Sequence, residues 1–157
     1  MSIDEIIEFI ETLGGVLTLR PEPGDGSPEI AWGDTFFYYA PDGKVPTTTQ
    51  PFATIVTKDY PDDDGSRLDR PGAFRLNISA GKDAFIRFTG HDPRTPVSGA
   101  DPSMVDTVLA HPVYGSAGWL AVVNPDTRTA DSVRELLRTA HDRACARYQR
   151  RAGSQAH

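Results

Sequence analysis

His91, in Thr-Gly-His-Asp-Pro-Arg, and His111, in Ala-His-Pro-Val-Tyr-Gly, stand at the two ends of a polar stretch rich in Pro and Gly. Imidazole is the side chain that most readily exchanges a proton near neutral pH. If the stretch closes on itself, the two rings approach each other with Asp92, Arg94 and Tyr114 beside them. That would make an acid/base site without a cofactor. His91 or His111 would transfer the proton to or from a small substrate, and Arg94 or Arg75 would hold an anionic group on it. The plainer alternative is that each histidine hydrogen-bonds loop backbone and holds an irregular segment in place.

A second constellation surrounds the stretch EIAWGDTFFYYAPDGK, residues 29–44. Trp32, Phe36, Tyr38 and Trp119 are spaced to line one face of a sheet, with Asp34, Lys58 and Arg75 as polar contacts. An apolar pocket with a few converging polar groups is the usual form of a small-molecule site. The same aromatics also serve as ordinary core, and the sequence favours that reading: a structural hairpin whose Gly33 permits a tight corner, with any site near that corner.

Other patterns fail on spacing. Gly24-Asp-Gly26 lacks the third glycine of a dinucleotide fingerprint, there is no Gly-Lys-Ser/Thr phosphate loop, and Gly115-Ser116-Ala117-Gly118 misses a nucleophile elbow by one residue. Laid on an EF-hand register, Asp62-Asp-Asp64 would put Tyr60 at the first ligand position and Pro71 where the bidentate Glu belongs, so the run reads as a solvated turn. Asn77-Ile-Ser79 matches a glycosylation sequon but falls in an expected strand. No metal or cofactor is implied.

The elements that must position these residues follow from periodicity. Ser2-Ile-Asp-Glu5 has capping-box spacing, and Ile3, Ile6, Ile7, Ile10 and Leu13 recur at helical intervals up to Gly14-Gly15. Strand-like runs are expected at 16–19, 30–32, 35–40, 52–57, 73–79 and 118–124, with the turn Pro41-Asp-Gly43 between two of them. Residues 80–88 read as a short helix with Phe85 and Phe88 inward. Thr129 caps a long final helix with Val133, Leu136, Leu137 and Ala140 inward, and on it His141 is expected to be exposed, as is His157 beyond. Residues 90–112 read as a long loop with one helical turn near 103–108, a length that tends to carry function. This order predicts a two-layer α+β sandwich, a mainly antiparallel sheet with helices on one face. It is one domain over 1–152, with a disordered tail at 153–157.

At 157 residues the chain can bury an ordinary core. Its one cysteine, Cys145, has no partner, and the N-terminal residues carry acids where a signal peptide has bases, so the expected compartment is the cytoplasm. No apolar run reaches the roughly twenty residues of a membrane span. Residues 131–157 hold six arginines against three carboxylates, a balance of +3 that leaves −9 for residues 1–130 of a chain with net charge −6. So acidic a body argues against nucleic acid as partner, the arginine-rich final helix being the only counter-argument.

The blocks EIAWGDTFFYYAPDGK, PFATIVTKDYP, RPGAFRLNISAGKDAF and HPVYGSAGWLAVVNP, followed by a helix with RELLRTAH, resemble the DUF6194 family of actinobacterial proteins of unknown function across nearly the whole chain. More remotely, the Trp-Gly-Asp corner, the aromatic strand, the strand bearing Lys58 and the Gly-Trp strand before the last helix resemble MmcQ/YjbR-like proteins. That resemblance implies an α+β fold related to frataxin-like and secretion-chaperone-like sandwiches. DNA binding, proposed from shape for some of those proteins, sits poorly with the acidic body. Neither resemblance implies catalytic residues. The sequence therefore points to a non-catalytic module that binds a small molecule or a protein, as a monomer or homodimer. The alternative is the acid/base enzyme that uses the loop histidines.

Overall fold

A computed structural model describes residues 1–97 and 99–155, with the side chains of 154 and 155 left aside. Helix α1, Ile3–Glu11, begins at the expected capping box. The Ser2 hydroxyl accepts from Glu5 N, and the Glu5 carboxylate accepts from Ser2 N. Six strands follow in one open antiparallel sheet: β1 (Val16–Leu19), β2 (Thr35–Tyr39), β3 (Ala53–Val56), β4 (Arg75–Ile78), β5 (Val108–Ala110) and β6 (Leu120–Val123). Their spatial order is β1-β2-β3-β4-β6-β5. Helix α2 (Lys82–Thr89) and helix α3 (Ala130–Gln155) complete the α+β sandwich.

Alternation along the strands divides the sheet into two unlike faces. Phe37, Ala53, Ile55, Leu76, Ile78, Leu120 and Val122 point to the helices, where they meet Ile6, Ile10, Phe85, Val133, Leu136 and Leu137 in one core. The other face carries Phe36, Thr54, Val56, Arg75, Asn77, Ala121 and Val123, brought side by side by the pairings Thr54 with Asn77, Asn77 with Ala121, Val56 with Arg75 and Arg75 with Val123. No helix covers it. Residues 59–70 fold back over it instead and add a small second core, with Leu68 packed on Val56 and Val123.

Several expectations need correction. Residues 29–31 form a 3₁₀ turn, because Pro28 leads a run of tight backbone hydrogen bonds that ends with Asp34 N on Ala31 O at 3.1 Å. The stretch 103–108 makes no helical turn. Its end is the edge strand β5, and Val105 forms a parallel bridge with Val123. His141 is buried: its Nε2 lies 2.7 Å from Gly14 O, and Tyr39 and Phe52 meet its ring edge-on. Helix α3 runs through residues 153–155; the rest of the expected tail, with His157, lies outside the described residues. Among the described residues no helix is long and apolar enough to cross a membrane.

Candidate functional site

Strand β4 reads Arg-Leu-Asn-Ile, and all four residues are buried. Alternation sends Arg75 and Asn77 to the open face, where polar side chains under a cover need partners. Arg75 finds them on the covering loop and two residues further along its own strand. Its Nε donates to Asn77 Oδ1 at 2.8 Å, Nη1 to Asp63 Oδ1 at 2.9 Å and Ser66 Oγ at 3.0 Å, and Nη2 to Asp63 Oδ2 at 2.5 Å. Asn77 Nδ2 passes the chain on to Thr54 Oγ1 at 3.0 Å. The bidentate Arg75–Asp63 pair fastens residues 59–66 to the middle of the sheet.

His111, at the start of the segment that leads into β6, completes the cluster. Its Nδ1 accepts from Val113 N at 3.0 Å and Tyr114 N at 2.9 Å. Two donors on one nitrogen fix that nitrogen as the bare one, so in the neutral ring the proton sits on Nε2. Nε2 lies 3.2 Å from Arg75 Nη2 and 4.0 Å from Asp63 Oδ2. Two N–H groups, one from the ring and one from the guanidinium, thus converge. Burial above all, and then the Arg75 charge, push the His111 ring down to about 4 against a weaker pull from Asp63. At neutral pH it is uncharged. Burial by itself would raise the Asp63 carboxyl, but hydrogen bonding to Arg75 and its charge hold it below the ordinary carboxylate value, with His111 adding to the effect. Arg75 and Asp63 cancel, and the cluster as a whole is close to neutral.

Above the cluster lies a cavity of about 530 Å³. Phe36, Val56, Ala117 and Trp119 give it apolar walls, and Tyr60, Tyr114, Thr54 and Asn77 add hydroxyl and amide groups. Of the residues singled out in the sequence, the structure brings Phe36, Arg75, His111, Tyr114 and Trp119 to this cavity. Phe36 and Trp119 therefore wall a pocket and do not belong to the core. With four aromatics in succession, residues 36–39 place Phe37 and Tyr39 toward the helices and Phe36 and Tyr38 on the open face.

Asp34 and Lys58 belong to the corner beside the cavity. Asp34 is fully buried, and its Oδ1 accepts from Thr57 N at 2.9 Å and Thr57 Oγ1 at 3.1 Å, with Lys58 Nζ 3.1 Å away. Its Oδ2 accepts from the Tyr60 hydroxyl, whose acidity is suppressed by burial, by that bond and by the neighbouring carboxylate charges. The corner ties β2 to the end of β3, and Gly33 takes φ +88°, where an added Cβ would stand 3.2 Å from Thr57 Oγ1. Through Tyr60 it also reaches the cavity wall. Trp32 is half-buried at this corner and Tyr38 lies across from Leu17; neither lines the cavity.

His91 and Arg94 stand apart from the cluster. Asp92 accepts from Arg94 N at 2.9 Å and pairs with Lys82 at 3.1 Å, while His91 Nδ1 lies 3.0 Å from Asp92 O with the ring edge-on to Phe85. His91 and His111 do line a common cavity of about 780 Å³ on the α2 side, but His111 gives its Nδ1 to backbone N–H groups and turns its Nε2 toward Arg75 on the open face of the sheet. Asp63, Ser66, Asn77 and Thr54 went unsuspected in the sequence. The acidic run read as a solvated turn holds its middle carboxylate, Asp63, half-buried on Arg75. Polar residues alternating with apolar ones in Arg-Leu-Asn-Ile were the available signal. No group of three or more His, Cys, Asp or Glu side chains is placed to hold a metal ion among the described residues.

Comparison with curated proteins finds no match, and comparison with solved structures finds none either. The family model of DUF6194, a family of unknown function, matches residues 1–153, and the chain belongs to that family.

Proposed function

We propose that the protein is a non-catalytic small-molecule-binding module of the cytoplasm. In the open-face cavity it takes a compound with a carbonyl-type oxygen on an apolar or aromatic body. The observation that carries this reading is the His111 ring: Nδ1 accepts two backbone N–H groups, so Nε2–H converges with Arg75 Nη2 beneath an aromatic-walled cavity. An oxygen seated there would accept from both. Because Arg75 is already paired with Asp63, a neutral or singly charged acceptor suits the site better than a dianion. The Trp119 and Phe36 faces supply the area that holds the rest of the molecule. The remote MmcQ/YjbR-like resemblance adds no competing chemistry to this reading. A general acid with a value near 4 would be almost wholly deprotonated at neutral pH, which disfavours His111 as a proton donor in catalysis.

A screen of small aromatic amides and ketones by protein-observed NMR tests the proposal. Bound compounds are expected to shift the Trp119 indole signal and the His111 Nε2 resonance. His111→Asn keeps an acceptor near the Nδ1 position while removing the Nε2 donor, so the fold should persist and affinity should fall by about tenfold, the loss of roughly one buried hydrogen bond. Ligands that map elsewhere, or a ¹⁵N tautomer measurement placing the proton on Nδ1, would overturn it.

A further inference from the structure

The C-terminal half of α3 carries Arg143, Arg147 and Arg151 at intervals of four residues. That spacing stacks them on one helix face, with about 6 Å of axial rise between neighbours. All three line a cleft of about 370 Å³ whose opposite side is the loop of residues 44–52. Lys44 lines it as well, and Asp42 is the one carboxylate among its lining residues. Among the described residues none of the three arginines forms an ion pair. Arg151 donates to the Thr49 hydroxyl, and Thr47 and Thr48 offer two more hydroxyls beside it.

Like charges four residues apart on a helix destabilise it when nothing neutralises them. The cost is visible at the middle position, where burial and then the charges of Arg143, Arg151 and Arg150 make the Arg147 guanidinium easier to deprotonate than usual. The fold nonetheless makes room for the row. Gly81 has φ +93°, and a Cβ there would lie 2.8 Å from Arg143 Cζ, so a side chain at 81 would displace the guanidinium. Four cations facing one carboxylate, on a chain whose net charge is −6, concentrate positive potential in one cleft.

We propose that this cleft binds a small phosphorylated molecule with two linked phosphoryl groups, held by the Arg143–Arg147–Arg151 row and the Thr47–Thr49 hydroxyls. The planar fork of a guanidinium matches phosphoryl oxygens two at a time, and two guanidiniums from adjacent turns, with the long side chains converging across the cleft, clasp a linked pair of phosphoryl groups more fully than a single phosphate. A nucleic acid strand would call for a longer cationic track and would meet the acidic remainder of the surface. The cleft adjoins the open-face cavity, with Gln50, Pro51 and Trp119 lining both, but none of its cationic residues lines that cavity.

Isothermal titration of the full chain with inorganic pyrophosphate and with ADP at low salt tests this. Saturable binding is expected, weakened about tenfold or more by Arg147→Gln. It should be unchanged in Arg138→Gln, whose guanidinium lies over the Phe9 ring 5.3 Å away, and unchanged in His111→Asn. Without ligand, Arg147→Gln should melt no lower than the parent at low salt, since it removes repulsion; a purely structural arginine would lower the melting point. Absence of pyrophosphate and ADP binding, or equal loss in Arg138→Gln, overturns the proposal. Much tighter binding of a single-stranded oligonucleotide, with a steep salt dependence, also overturns it and assigns the row to nucleic acid.

Discussion

His111 is buried with its bare Nδ1 on two backbone donors and the Arg75 guanidinium beside its Nε2, and burial followed by that charge sets its pH behaviour. The unfolded chain protonates a histidine near its ordinary value of 6.5, whereas the folded ring resists down to about 4. A depressed value means that stability is fully present above 6.5 and is lost as pH falls toward 4, with a ceiling of about 3 kcal/mol. Urea unfolding across that window should show the decline in the parent and a much flatter profile in His111→Asn. Below it, the lowered Asp63 carboxyl makes a further loss common to both proteins. A slope unchanged by the substitution would mean that the ring is not held neutral. The sequence made His111 a candidate because imidazole is a recognisable chemical type. It could not disclose Asp63, which looks like any loop aspartate until the chain folds it onto Arg75, nor that His91 would be taken up by its own turn.

Among the elements, those with their own periodicity were legible and those made by partners were not. Helix α1 and strand β1 lie where capping and alternation put them, and α2 and α3 differ only at their ends. Strand β5 has three residues and exists because β6 offers an edge, so no local pattern announces it. The end of the long loop before it is anchored by a residue the sequence left unremarked. Asp106, at φ +50°, accepts from Asp126 N at 2.8 Å, Arg128 N at 3.0 Å and Thr129 N at 3.0 Å, and from the Thr129 hydroxyl at 2.6 Å. It therefore ties together the turn that leads into α3 and sets a negative charge at that end of the helix. Asp106→Ala is expected to cost about 1–2 kcal/mol, in the range for amide donors left without their acceptor, and to speed amide exchange at residues 126–129. Replacement without effect on either would show that the turn holds without the carboxylate.

At the scale of the whole molecule, the two faces of the sheet are held by different forces. The helix side is a continuous apolar core, while the open side is closed by a loop held by polar ties, Asp63 and Ser66 to Arg75 and Tyr60 to Asp34, and by a small apolar cluster of Val56, Leu68 and Val123. The two-layer architecture was readable from element order and from isoleucine and leucine spacing, because burial against helices leaves an apolar stripe. The covered open face was not, because its partners come from a segment whose composition reads as solvent-exposed. Few apolar contacts and ties that are mainly polar imply that the cover can open while the helix side stays intact. Native-state hydrogen exchange should therefore find the Leu68 amide, bonded to Asp59 Oδ1 at 2.9 Å, released by an opening of lower free energy than the one that frees Leu76 and Ile78. Arg75→Met, close in volume and without charge, should lower that first free energy further and leave Leu76 and Ile78 governed by global unfolding. If Leu68 exchanged only together with the β4 amides in both proteins, cover and core would be one cooperative unit. A ligand could then enter the cavity only by its open mouth, and association would be fast. With an opening cover, the rate of entry would instead follow the population of the open form and would rise in Arg75→Met.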